Sequence, residues 1–241
     1  MGDLLRALGQ GQDAEDFYRS SLDIRKRLAQ AEPNRADYQR DLSVSYNKLG
    51  DLLSDLGQGQ DVEDFYRNSL DILKRLVQTE PNRADYQRDL SVSYEKLGEL
   101  LSALGQGQNA EDFYRNSLDI IKRLAQDEPN RADYQRHLSV SYIKLGDLLR
   151  DLGQGQGAED FYRSSLEIAK RLAQAEPNRA DYQIDVAVSL SRMAQIEPQE
   201  ALAHLQRALA ILKALQERGA LLPRDEPKIR IFEEEIAKLP A

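Results

Sequence analysis

Four copies of one glycine-rich run, Leu-Gly-Gln-Gly-Gln, stand at Leu8–Gln12, Leu56–Gln60, Leu104–Gln108 and Leu152–Gln156. Such runs can cradle a phosphate on backbone amides when a strand leads in, a helix leads out and the spacing is G-x-G-x-x-G. Here a helical pattern leads in, three copies lack the third glycine, and Glu63 and Asp64 would repel the phosphate. The runs therefore read as turns. Gly57 suits the left-handed residue that closes a helix, and Gly59 lets the chain reverse. The next helix is expected to open at Asp13, Asp61, Asn109 or Gly157 as N-cap.

The remaining chemistry-bearing residues are no more specific. Of the two histidines, His137 stands where other repeats have Asp41 and Asp89, and His204 sits alone, neither with a second ligand at metal spacing. Serines recur in register, as packing residues do, without a G-x-S-x-G elbow. Carboxylates recur as well, whereas a catalytic pair would be unique somewhere in the chain. The expectation is a non-enzymatic protein with no catalytic residues, no metal and no cofactor.

Composition narrows the partners. A net charge of -8 lacks the basic stripe that nucleic acid demands and disfavours anionic membranes. No apolar run is long enough to span a bilayer, and "MGDLLRALG" has no basic leader pattern, so a cytoplasmic location is expected. The absence of cysteine removes thiol chemistry and fits a reducing compartment.

What positions all these residues is a repeat. Gly9, Gly57, Gly105 and Gly153 are 48 residues apart, and 10 of 48 positions differ between residues 57–104 and 105–152. Each period predicts two amphipathic helices. The first, Arg83 to Leu104, carries Tyr86, Leu90, Tyr94, Leu97, Leu101 and Leu104 on one face, with Asn82 as N-cap and Asp85 in its first turn. The second, near Asp61 to Thr79, has a wider apolar arc on Phe65, Tyr66, Ser69, Leu70, Ile72, Leu73, Leu76 and Val77, as for a helix sandwiched between neighbours. Glu63–Arg67 and Asp71–Arg75 are pairs on its outer side. Pro81 disfavours helical geometry at Glu80 and so separates one hairpin from the next.

The centre of each unit resembles the tetratricopeptide repeat. Tyr46-x-x-Leu49-Gly50-x-x-Leu53, then Val62-x-x-x-Tyr66 and Ser69-Leu70, follow that family's alternation of large and small residues, and the resemblance covers about residues 1–218. The family's unit is shorter, with a closing proline where Lys74 stands, so this looks like a variant with both helices lengthened by about two turns. The resemblance implies an all-α solenoid of stacked antiparallel hairpins, wound as a right-handed superhelix.

The expected organisation is a repeat array over 1–218 and a capping helix over 219–241. Within the array come a half hairpin (1–31), hairpins at 34–79, 82–127 and 130–175, and a degenerate hairpin at 178–218 whose return helix ends at Gly219. The last helix is expected from about Glu226, with Glu234 and Lys238 paired. In the first hairpin, Leu22, Ile24 and Leu28 lack their usual partner helix, and Arg25 replaces the apolar Leu73. Either the array is part of a longer one, or another chain covers this edge.

Variation between near-identical units marks one surface. Glu95/Ile143, Glu99/Asp147, Ser102/Arg150 and Ala103/Asp151 differ and share a face of the first helix, whereas the outer face of the second helix is unchanged from Glu63 to Gln78 and from Glu111 to Gln126. The resemblance implies that this first-helix face lines a concave groove that holds a peptide or partner helix. The positions are Asn47, Lys48, Asp51, Ser54 and Asp55, then Glu95, Lys96, Glu99, Ser102 and Ala103, then Ile143, Lys144, Asp147, Arg150 and Asp151. Lys48, Lys96 and Lys144 form a row suited to a partner's carboxylates, or one neutralised by its own aspartates. The expected function is a protein-interaction scaffold within a larger protein. The alternative is a structural spacer, or a self-assembly module associating through its N-terminal half hairpin.

Overall fold

The computed structural model describes residues 1–239, Gln60 by its backbone alone, and every regular element among them is helical. The chain divides into two compact units, Met1–Leu124 and Ala125 onward. The first holds α1 (Gly2–Ala7), α2 (Gly11–Ala31), α3 (Ala36–Asp55), a 3-10 turn (Gly59–Asp61), α4 (Val62–Thr79), α5 (Ala84–Ala103) and most of α6 (Gly107–Asp127). From α1 to α5 each helix packs on the next. The second unit holds α7 (Ala132–Asp151), α8 (Gly155–Ala175), α9 (Ala180–Ile196), α10 (Ala201–Glu217) and α11 (Pro227–Lys238), again packed in sequence. Among the described residues no helix is long and apolar enough to cross a membrane.

The first helices start at Ala36, Ala84, Ala132 and Ala180, in step with the sequence period. Their N-cap is the arginine rather than the expected asparagine. Arg83 sits extended, makes no side-chain cap, and instead clasps Asp85 at 2.9 Å through two nitrogens while stacking 4.3 Å over Tyr86. That guanidinium holds the Asp85 carboxyl below its ordinary range. Other expectations at the turns also shift. Gly57 and its counterparts do adopt a left-handed φ, 70° at Gly57, and Gly57 N–H donates to Ser54. The second helices of three hairpins, however, begin at Gly11, Gly107 and Gly155, ahead of the residues expected to cap them, and Asp61 makes no side-chain cap to α4. Leu104 belongs to the turn and is exposed, not part of the apolar face.

The hairpins close through small residues, as the repeat pattern implied. Tyr66 lies against Gly50, where an added Cβ would fall 2.6 Å from the ring, and Tyr162 lies against Gly146, where it would fall 2.5 Å away. Tyr46–Phe65 and Tyr142–Phe161 pack beside them with ring centroids 6.2 and 5.7 Å apart. Buried serines bond both within and between hairpins: Ser139 of α7 meets Ser165 of α8 at 2.8 Å within one, and Ser69 of α4 meets Ser93 of α5 at 2.9 Å between two. Degeneration of the repeat shortens α9 and leaves Val186, Leu190 and Met193 buried, and Phe232 of α11 is buried near the C-terminal end. Glu234 pairs with Arg230 at 3.6 Å, and Lys213 of α10 ties Glu233 of α11 at 2.7 Å.

Candidate functional site

The first-helix face is built around an aspartate, Asp3, Asp51 or Asp147, in three of the hairpins, with Glu99 at the same place in α5. Asp51, one residue after the helix-packing Gly50, accepts the Tyr66 hydroxyl at 2.8 Å and the Lys96 ammonium of the following repeat at 3.1 Å. In the first hairpin Asp3 accepts from Tyr18 and, at 2.6 Å, from Lys48. In the second unit Asp147 accepts from Tyr162 at 2.7 Å and pairs with Arg192 at 2.7 Å and Arg150 at 3.7 Å. The tyrosine comes from the aspartate's own hairpin and a cation from the next one, Asp147 taking Arg150 of its own helix as well.

The lysine row is therefore not an open set of cations. Lys48 and Lys96 are spent on aspartates 45 residues earlier, and Lys144 and Glu99 are partnered as well. Other positions are drawn inward too. Glu95 is buried and accepts the Ser117 hydroxyl at 3.3 Å, so it fixes α5 to α6 and does not face solvent. Asn47 donates to Ser93 at 2.9 Å, leaving its own buried carbonyl oxygen without a partner. Asp55 pairs with Arg6, and Arg150 with Asp151 at 2.8 Å. What reaches solvent is the last turn: Ser54, Asp55, Ala103 and Asp151 are exposed, and Ser102, Arg150 and Ile143 are half-buried. A surface cleft of the first unit, lined by Gln39, Tyr46, Asn68, Ile72 and Arg75, includes none of the expected groove residues.

The tyrosines feel this arrangement. Burial, with the Asp3 carboxylate second, pushes the Tyr18 phenol up to about 12, and burial with Asp51 or Asp147 raises Tyr66 and Tyr162 further. A raised phenol pKa contributes stability that is complete below the unfolded value near 10 and is lost as pH climbs toward the folded value. Denaturant midpoints should accordingly hold steady through neutral pH and fall above about pH 10. A Tyr66→Phe/Tyr162→Phe variant should lose most of that alkaline slope.

One cluster was missed in the sequence. His204 is not alone: Glu197 and Glu200, at the α9–α10 corner, bring carboxylate oxygens to 2.8 and 3.5 Å from its Nε2. Spacings of seven and four residues before the histidine were the available signal. The other Glu197 oxygen takes Arg163 of α8, so the carboxylate latches three helices. Two carboxylates and an imidazole are a donor set a divalent cation accepts, but here one carboxylate is shared with an arginine, and the ring's Nδ1 is buried with no acceptor to orient it.

Comparison with known proteins follows this geometry. The tetratricopeptide repeat family model matches residues 1–33, 90–130 and 138–177. No curated protein matches the sequence. Among solved structures, BtubC (BKLC) from P. vanneervenii is similar at a TM-score of 0.69 and 21% identity, covering 95% of this chain and 84% of that one. A Podosopora anserina putative kinesin light chain with nearly identical TPR-like repeats is similar at 0.54 and 23%, covering 89% and 93%. At these identities the likeness speaks for the fold. The repeat matches and the stacked-hairpin architecture together support a tetratricopeptide-repeat family.

Proposed function

We propose that this chain, with its tetratricopeptide-repeat matches, is a non-catalytic protein-interaction scaffold. It binds a peptide or partner helix on the last turns of its first helices. The carrying observation is the contrast in sequence drift: positions at the end of α5 and α7 change between units, while the outer face of α4 and α6 does not. The ion-pair ladder beneath explains why the drift is confined. The acidic character of the ladder position is kept as Asp51, Glu99 and Asp147, while Ser54, Ser102, Ala103, Arg150 and Asp151, one turn beyond, differ in size and charge between units. The family matches of 90–130 and 138–177 start several residues into α5 and α7, which favours the reading of a lengthened 48-residue variant.

A photoreactive side chain placed at Ala103 is expected to capture a polypeptide that one at Asn68, on the outer face of α4, does not. Equal capture from both faces would remove the groove reading. The exposed Ile24 and Leu28 of α2 favour a second reading, a spacer or self-assembly module joined through the first hairpin. Molar mass that rises with concentration is its signature.

A further inference from the structure

The glycine turn that joins the two helices of each earlier hairpin gives way, at the α9–α10 corner, to Glu197-Pro198-Gln199-Glu200. The second helices align on the buried small residue of their first turn, Val62 or Ala158 in the earlier hairpins and Ala201 here. In that alignment His204 takes the place of Phe65 and Phe161. An apolar ring has become an imidazole at the corner where two carboxylates arrive, and none of the four glycine turns carries this combination. We propose that Glu197, Glu200 and His204 form a binding site for one divalent cation of the zinc type, which ties the end of α9 to the start of α10.

The backbone already gathers the donors. The Glu200 N–H donates to the Glu197 carbonyl at 3.0 Å, and the His204 N–H to the Glu200 carbonyl at 3.0 Å, so a turn and then a helical turn carry all three. Pro198 fixes one dihedral of that turn in advance. One ligand atom from each of the three side chains lies within 4.8 Å of the others. Ligands of a tetrahedral zinc ion, each at ~2.0–2.2 Å, stand ~3.4 Å apart. The 3.5 Å from Nε2 to Glu200 therefore fits as it is, and the 2.8 Å to Glu197 must open by about half an ångström. His204 is buried and the Glu200 side chain is 69% exposed, which leaves room for a water as fourth ligand. A nitrogen among oxygens favours zinc over magnesium and calcium, which take oxygen. Arg163 competes for Glu197, but its guanidinium also holds Glu159 at 2.8 Å, as Arg67 and Arg115 hold Glu63 and Glu111, and it can retire to that pair. The Nδ1 without an acceptor deprives a ligated ring of its usual outer hydrogen bond, which costs ~10–100-fold in affinity.

The test titrates zinc chloride into the untagged full chain and follows it by calorimetry. Because the ring lacks its outer support, the titration should extend to ~1 mM metal. Saturation at one zinc per chain is expected, with affinity falling about tenfold or more in Glu200→Gln and in His204→Gln. The other histidine is the control, and His137→Gln should bind as the unaltered chain does. Glu200 is exposed, so its variant should keep the native circular dichroism even if His204→Gln does not. No saturation, saturation indifferent to Glu200→Gln, or saturation lost in His137→Gln overturns the proposal. So does magnesium bound as tightly as zinc, because the imidazole is then not a ligand.

Discussion

Asp51→Ala is expected to destabilise the first unit by ~1.5–3 kcal/mol, the range for hydrogen bonds to a charged group, read as a drop in denaturant midpoint. The substitution leaves the Tyr66 hydroxyl, in an otherwise buried side chain, without its acceptor, and strips Lys96 of its 3.1 Å partner. An exposed ion pair alone would contribute at most ~1 kcal/mol, so a loss at the upper end assigns the effect to the buried hydroxyl. The cycle with Tyr66→Phe separates the two. If the hydroxyl dominates, the double variant is hardly less stable than Asp51→Ala, a coupling of ~0.5–3 kcal/mol. Additive losses would mean that aspartate and tyrosine act independently, against the arrangement described.

Gly146→Ala should destabilise the second unit although alanine is the better helix former. Mid-helix, the exchange gains ~0.5–1 kcal/mol in propensity. Against this, the new Cβ would lie 2.5 Å from Cε1 and 2.8 Å from Cδ1 of Tyr162. That ring is fully buried and its hydroxyl is held by Asp147, so it cannot swing aside. Overpacking of a well-filled site costs ~1–3 kcal/mol, which outweighs the propensity gain. Gly157→Ala is the internal control: its Cβ would meet only Leu149, at an ordinary 3.5 Å, and the melting temperature should hold or rise. A stabilised Gly146→Ala would show that the two helices can part without loss.

The repeat made much of this architecture readable. A left-handed Gly57, the close seating of Tyr66 on Gly50 and the shortened α9 all follow from patterns within one period or from their decay. The candidate face was harder, because the sequence shows which residues share a side of one helix but not how deeply the neighbouring helix covers it. Glu95 has the spacing of a surface residue and is buried against α6. Lys48 and Lys96 form a row by position, yet each reaches back 45 residues, a distance set by the offset between hairpins rather than by helix periodicity. The usable clue was chemical: every such aspartate is followed 15 positions later by a tyrosine.

The ladder also has a direction. Asp3 and Asp51 each take a tyrosine from their own hairpin and a cation from the one that follows, so along this ladder an acceptor of one hairpin meets a donor of the next. Excising one whole period would bring the next cation to the orphaned aspartate at the same separation, whereas removing any other length would leave both groups stranded. Length thus becomes a variable that whole-unit gain or loss can adjust without redesigning such a junction, and the near-identity of the units is what makes junctions of this kind interchangeable.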